Sequence, residues 1–249
     1  MERHQKRALR EHEIISETIG LLSQRGFLDV RMSDIANETG YSMGSIDSHF
    51  ESKEDLLVAC AHTLSLEYKK LLQLMMNQSI PAIEKIITMA QCNWYISMQH
   101  PDLIEIDNLS LMPSVWRRAT AHRANALNES NKALASIFLT LALEAIKNSL
   151  VGYKDLKETE IEQLGHYFTH GMWGLCVGLA STSQSGYANS MCPENSSDSY
   201  THFITNYINF LKGYGWQEVD PVAIFEARKD NAMACIAQTS WFSSHQVGQ

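Results

Sequence analysis

The sequence predicts an all-α fold: an N-terminal three-helix domain of the helix-turn-helix kind, followed by a larger helical domain. Three observations predict it. Apolar residues recur at helical spacing along most of the 249 residues. No series of alternating, β-branched segments marks a sheet. Glycine and capping residues punctuate roughly the first 60 positions at short intervals.

The elements follow in order. Leu9, Ile15, Ile19 and Leu22, with Ile14, Thr18 and Leu21 one step round, give the first helix a core-facing side. Gly26 is a natural stop after it, because glycine ends a helix at least cost. Met32, Ile35 and Ala36 mark one face of a short second helix, with Ser33 and Asp34 near its start. Gly40 permits a sharp turn, and Ser42 is placed to cap a third helix whose Ile46 and Phe50 face inward. Ser52-Lys53-Glu54-Asp55 then fits the capping pattern ahead of Leu56, Leu57, Ala59, Cys60 and Leu64. A helix–turn–helix of this form is built to push its second short helix into the DNA major groove.

At these residues the chain resembles the TetR family of bacterial transcriptional regulators. The matching elements are Gly26-Phe27, Asp34-Ile35-Ala36, Gly40-x-Ser42-x-Gly44, and Phe50 followed by Ser52-Lys53-Glu54-Asp55-Leu56-Leu57. The resemblance implies an all-helical homodimer that binds a palindromic double-stranded DNA operator, usually as a repressor, and lets go when a small-molecule effector enters its larger domain. It divides the chain into a DNA-binding domain with a basic N-terminal arm, 1–53, and an effector-binding and dimerisation domain, 54–249. The third helix departs from the family pattern, which commonly has a basic residue at Met43 and a tyrosine at Asp47.

Candidate DNA-contacting residues are Arg3, Lys6 and Arg7 of the arm, Arg31 and Ser33 at the second helix, and Lys53. Tyr41, Ser42, Met43, Ser45, Asp47, Ser48 and His49 come from the turn and third helix. Tyr41 and His49 are potential phosphate donors, and the serines suit phosphates or base edges. Asp47 is suited either to accept from cytosine N4 or to pair with a basic residue of the arm. The net charge is −8, and residues 1–76 hold nine basic against twelve acidic groups. Four of those nine lie in the first ten residues, where they suit phosphate contact.

Gly40-Tyr41-Ser42-Met43-Gly44 also satisfies G-x-S-x-G, the nucleophile elbow of hydrolases. That motif needs a strand before its serine, and the residues before it have helical spacing. Capping is the better role for Ser42, and no enzyme, cofactor or metal site is expected. Five cysteines without a C-x-x-C pair suggest a reduced, cytoplasmic protein, and no apolar run approaches a membrane span. Cys192 has the exposed-loop setting of a redox sensor but no basic neighbour in sequence to favour its thiolate.

Beyond the reader, a long helix over 54–76 is placed to link it to the larger domain. Pro81 opens a helix reaching about Gln99, and Pro101 and Pro113 bound a short one. Residues 114–149 form one helix or two, with Asn125 to Asn131 as the weak point. Gly152 to Glu158 is a turn, 160–182 a helix striped by Ile161, Leu164, Phe168, Leu175 and Leu179, and 183–199 a loop. Helices over 200–213 and roughly 221–238 close the chain, ahead of a frayed end. Helices 160–182 and 200–213 correspond to the family's dimerising pair, and Gly171, Gly174 and Gly178 would let a second backbone approach. Phe168, Leu175, Phe203, Tyr207 and Phe210 complete that expected interface. Trp94, Tyr95, Met98, Trp116, Phe138, Tyr167, His170 and Trp173 are candidate pocket residues for a lipophilic or cationic compound. His166 and His170 have metal-chelating spacing, but no third ligand is placed beside them.

Overall fold

The computed structural model describes residues 3–185 and 199–244, and every regular element among them is a helix. They are α1 (Arg3–Asp29), α2 (Met32–Thr39), α3 (Met43–Asp47), α4 (Lys53–Met76), α5 (Ala82–Gln99), α6 (Pro101–Ser110), α7 (Pro113–Trp116) and α8 (Ala121–Asn148). Then come α9 (Glu158–Gln184), α10 (Ser199–Gly213), α11 (Pro221–Ile236) and α12 (Ser240–Ser244). Two compact units result: Met1–Tyr68 with His100–Lys132, and Lys69–Gln99 with Ala133–Gln249. The division expected after residue 53 falls inside the first unit.

In the first unit, α1 packs on α2 and α6, and α2 packs on α3. Ile14, Ile19, Leu22, Ile35, Ile46, Phe50, Leu56 and Leu64 form its apolar core. Gly26 ends the regular part of α1 with φ 74 and ψ 162, a conformation essentially reserved for glycine. The chain then re-aims into α2. The basic arm is not a free tail: Arg3 to Arg10 form the first turns of α1. With neither Gly nor Pro before Gly20 and many good helix formers, nothing there stops the helix.

In the second unit, α11 lies along α5, and α9 packs against both α5 and α10. Pro101, Pro113 and Pro221 each sit in the first turn of a helix, where a missing N–H costs nothing. Three expectations need correction. The break between 114 and 149 falls at 117–120, ahead of Ala121, while Asn125 to Asn131 continue α8. The buried stripe of α9 is Gly165, Phe168, Met172, Cys176 and Ala180, shared with the expected one only at Phe168. Gly165 decides that rotation, because a Cβ there would lie 2.7 Å from Leu143 Cδ2 and 3.0 Å from Leu139 Cδ1. The frayed end contains the short helix α12. Cys192 and most of the 183–199 loop lie outside the described residues.

Candidate nucleic-acid interface

Local capping builds the reader. Asp34 accepts from the Arg31 amide (2.8 Å) at the start of α2, and Gly40 ends that helix in the left-handed region at φ 69, ψ 11. Ser42 is extended, at φ −66 and ψ 152, and its Oγ accepts from the Ser45 amide at 3.2 Å. The G-x-S-x-G serine is therefore a helix cap in a helix–turn–helix. Ile46 and Phe50 are buried, which orients α3. Its outer side shows Ser42, Met43, Gly44, Asp47 and Ser48, all exposed. Ser45 is half-buried, and its carbonyl accepts from the Ser48 hydroxyl at 2.7 Å. Asp47 makes no ion pair with a described residue.

The candidate contacts divide into free and engaged groups. Arg3, Lys6, Arg7, Arg31 and Ser33 are exposed. Arg7 also donates to the Ser48 carbonyl at 2.7 Å, at the negative end of α3. His49 departs from its expected role as a phosphate donor. Its side chain is 1% exposed, with Nδ1 3.3 Å from Glu11 Oε2, because it follows Ile46 onto the inward side. Tyr41 bonds through its hydroxyl to Glu13, which raises its phenol pKa, and Arg10 lies 5.2 Å over its ring. Lys53 donates to the Phe27 carbonyl and sits 4.1 Å over the Phe27 ring. Burial lowers its ammonium pKa against the opposing pull of Glu54, Asp29 and Asp34.

Residues far from the reader in sequence complete the first unit, and they were not foreseen. Arg123 of α8 reaches Glu11 Oε1 at 2.7 Å and the His49 carbonyl at 3.5 Å, with its guanidinium 4.9 Å over the Phe50 ring. Burial acts to raise the Glu11 carboxyl, but Arg123 and then His49 outweigh it, so the net shift is downward. Asp55 accepts from both the amide and the hydroxyl of Thr120 at 2.8 Å. Glu54 pairs with Arg118, and Ser52 donates to the Arg118 carbonyl at 3.2 Å. The Ser52-to-Asp55 cap appears locally as well, with Asp55 N to Ser52 Oγ at 3.0 Å. A pattern confined to one helix at a time carries no signal for the longer pairings.

The expected pocket residues are spread over both units. Trp94 is buried and stacks on Phe203 at 4.8 Å, while Tyr95 stacks on Tyr200 at 5.5 Å. Tyr167 (59% exposed), Trp173 (46%) and His170 lie on the outside of α9. Trp116 belongs to the first unit, whereas Met98 and Phe138 are half-buried in the second. The shallow depression bordered by Pro81, Glu84, Ser149 and Trp216 contains none of them.

The expected dimer residues divide likewise. Phe168, Phe203 and Tyr207 are fully buried within the second unit and offer no surface to a second chain. Phe168 contacts Phe210 and Tyr214, and Tyr207 meets Phe203 and Phe225. Gly171 is accounted for by the Phe210 ring, 2.9 Å from where its Cβ would be. Gly174 and Gly178 face open space, on the same outer line as Tyr167, and Leu175 is half-buried. Among the described residues no three His, Cys, Asp or Glu side chains group to hold a metal ion, and no helix is long and apolar enough to cross a membrane.

Comparison with known proteins bears on this geometry. Residues 14–60 match the family model described as bacterial regulatory proteins, tetR family. A TetR-family transcriptional regulator from Pectobacterium atrosepticum is similar over 87% of this chain and 99% of its own, at 15% identity and TM-score 0.63. The ketosteroid transcriptional regulator of Mycobacterium tuberculosis is similar over 84% and 96%, at 14% identity and TM-score 0.56. The regulator FadR from Bacillus subtilis, in complex with stearoyl-CoA, is similar over 87% and 96%, at 16% identity and TM-score 0.52. At such identities the likeness concerns the fold. No curated relative matches the chain. Residues 14–60 of this chain thus carry the pattern of the tetR family of bacterial regulatory proteins, and the fold around them is like that of solved regulators.

Proposed function

We propose that this regulator binds a palindromic operator as a homodimer, acting in the cytoplasm as a repressor that a small molecule releases. The observation that carries the reading is α3. It is a Ser42-capped helix fixed by buried Ile46 and Phe50, and it turns Ser42, Met43, Asp47 and Ser48 outward. Paired by a two-fold axis, two such helices would meet successive major grooves about 34 Å apart. Arg3, Lys6, Arg7, Arg31 and Ser33 supply the surrounding phosphate donors. A neighbour in this fold was solved in complex with stearoyl-CoA, which is a precedent for a small-molecule effector. The effector would favour the DNA-incompetent arrangement by its differential affinity for it.

With few free cations around α3, operator affinity is moderate and falls shallowly with salt. Titrating the protein with its own promoter region across a salt series checks this. Absence of sequence-specific binding at low salt rejects the reading. It leaves a helical partner-binding module, which Met43 and Asp47 on the reading face would suit.

The homodimer is supported by the outer line of α9, where exposed Tyr167 lies beside the open positions Gly174 and Gly178. Gly174→Trp should shift the protein to monomer in sedimentation without loss of helicity. A dimer that persists would move the interface elsewhere.

A further inference from the structure

We infer that Arg123, on α8 and well beyond the matched residues 14–60, is a positioning residue for the recognition helix and a determinant of operator specificity. The inference rests on the operator-binding reading and adds a component to it.

The end of α3 is a place where position is easily lost. The helix is five residues long, and just past it the Ser48 and His49 carbonyls have no further turn to accept from. Two guanidiniums take over. Arg7 donates to Ser48 O at 2.7 Å from α1, and Arg123 lies 3.5 Å from His49 O on α8. Arg123 does more than cap. Its Nη1 holds Glu11 Oε1 at 2.7 Å, and the other Glu11 oxygen lies 3.3 Å from His49 Nδ1. Its plane also covers the Phe50 ring at 4.9 Å. One side chain therefore joins α1, the α3 exit and α8 through a carboxylate, a carbonyl and a ring. With only 14% of its side chain exposed, it is poorly placed to serve as a phosphate contact. A planar fork suits such multiple engagement, whereas a lysine ammonium replaces only the charge. Losing Arg123 leaves the Glu11 carboxylate part-buried without its strongest partner and frees the α3 exit to shift.

The test combines DNA binding with hydrogen exchange on the full-length dimer. Arg123→Gln should weaken binding to the promoter duplex about tenfold or more, while a scrambled duplex at low salt changes little. Amides of 46–50 should exchange about tenfold faster, with those of the second unit unchanged. Arg123→Lys should recover the Glu11 pairing and part of the specificity. Glu11→Gln should mimic Arg123→Gln, and the double variant should add little to either. Equal losses on promoter and scrambled DNA, or unchanged exchange over 46–50, overturn the positioning role. If Arg123→Gln unfolds, the lysine variant and Glu11→Gln carry the same comparison. If wild-type protein ignores its promoter, the operator reading fails, whereas exchange over 46–50 still decides what Arg123 does to α3.

Discussion

In the first unit, polar and charged side chains join distant stretches of chain, whereas in the larger unit aromatic rings do so. Glu11 with Arg123, Asp55 with Thr120 and Glu54 with Arg118 tie α1 and α4 to the segment 118–123. On the other side, Trp94, Phe203, Tyr207 and Phe225 form a continuous run of rings across α5, α10 and α11. The difference shows which unit solution conditions tune. Partly exposed charge pairs weaken with ionic strength and follow their carboxylates in pH, while ring stacking and apolar burial have no proton to lose and are not screened by salt.

The sharpest way to break that contrast is to remove a ring. Phe203→Ala should cost about 3–5 kcal/mol in denaturant unfolding, by the same amount at low and high salt. A loss under about 1 kcal/mol would mean that the stack contributes little.

A carboxylate with no ion pair among the described residues probes the first unit next. Burial pushes the Asp107 carboxyl from its ordinary 3.8 up to about 6. A raised acid means that the folded chain binds more protons than the unfolded one between those values. Its burden is therefore absent below about pH 4, grows as pH rises through 6, and is complete above. Asp107→Asn should stabilise the protein at pH 7.5 by on the order of 2 kcal/mol, with the gain vanishing near pH 4. A gain independent of pH would show that the benefit is not the removal of charge. Glu11 has the opposite sign. Its depressed value adds stability above its ordinary 4.5, lost as pH falls through the folded value.

The smallest effect belongs to the reader. Ser42→Ala should cost about 1 kcal/mol of local stability and weaken promoter binding severalfold, leaving the aromatic unit unchanged. An effect on global unfolding as large as that of Phe203→Ala would blur the two regions into one.

Much of this organisation was legible in the residues because it is local. Gly26, Gly40, Ser42 and the Ser52-to-Asp55 cap each act within four positions of themselves, so their spacing announces them. Pro81 and Pro101 did the same for helix starts. What escaped was set by partners far along the chain. His49 lies inward, three positions after Ile46, with Glu11 beside its ring and Arg123 donating to its carbonyl. The stripe of α9 rotated because Leu139 and Leu143 fill the place of an absent Cβ at Gly165. Trp94 and Tyr95 stack on Phe203 and Tyr200, partners more than a hundred positions away that helical spacing does not announce. Helical spacing states which residues share a face, and only the partner states what that face meets.

Five residues of α3 amount to less than two turns. Cut from its surroundings, a peptide spanning the turn and this segment would be a coil, since so few backbone bonds cannot offset nucleation. Swapping the outward letters of 43–47 into another scaffold would accordingly transfer the alphabet without the grip. Sockets for Ile46 and Phe50 and the guanidiniums of Arg7 and Arg123 would have to travel too, drawn from three separate stretches of chain. Anyone transplanting this short helix should treat that whole patch as the unit of exchange.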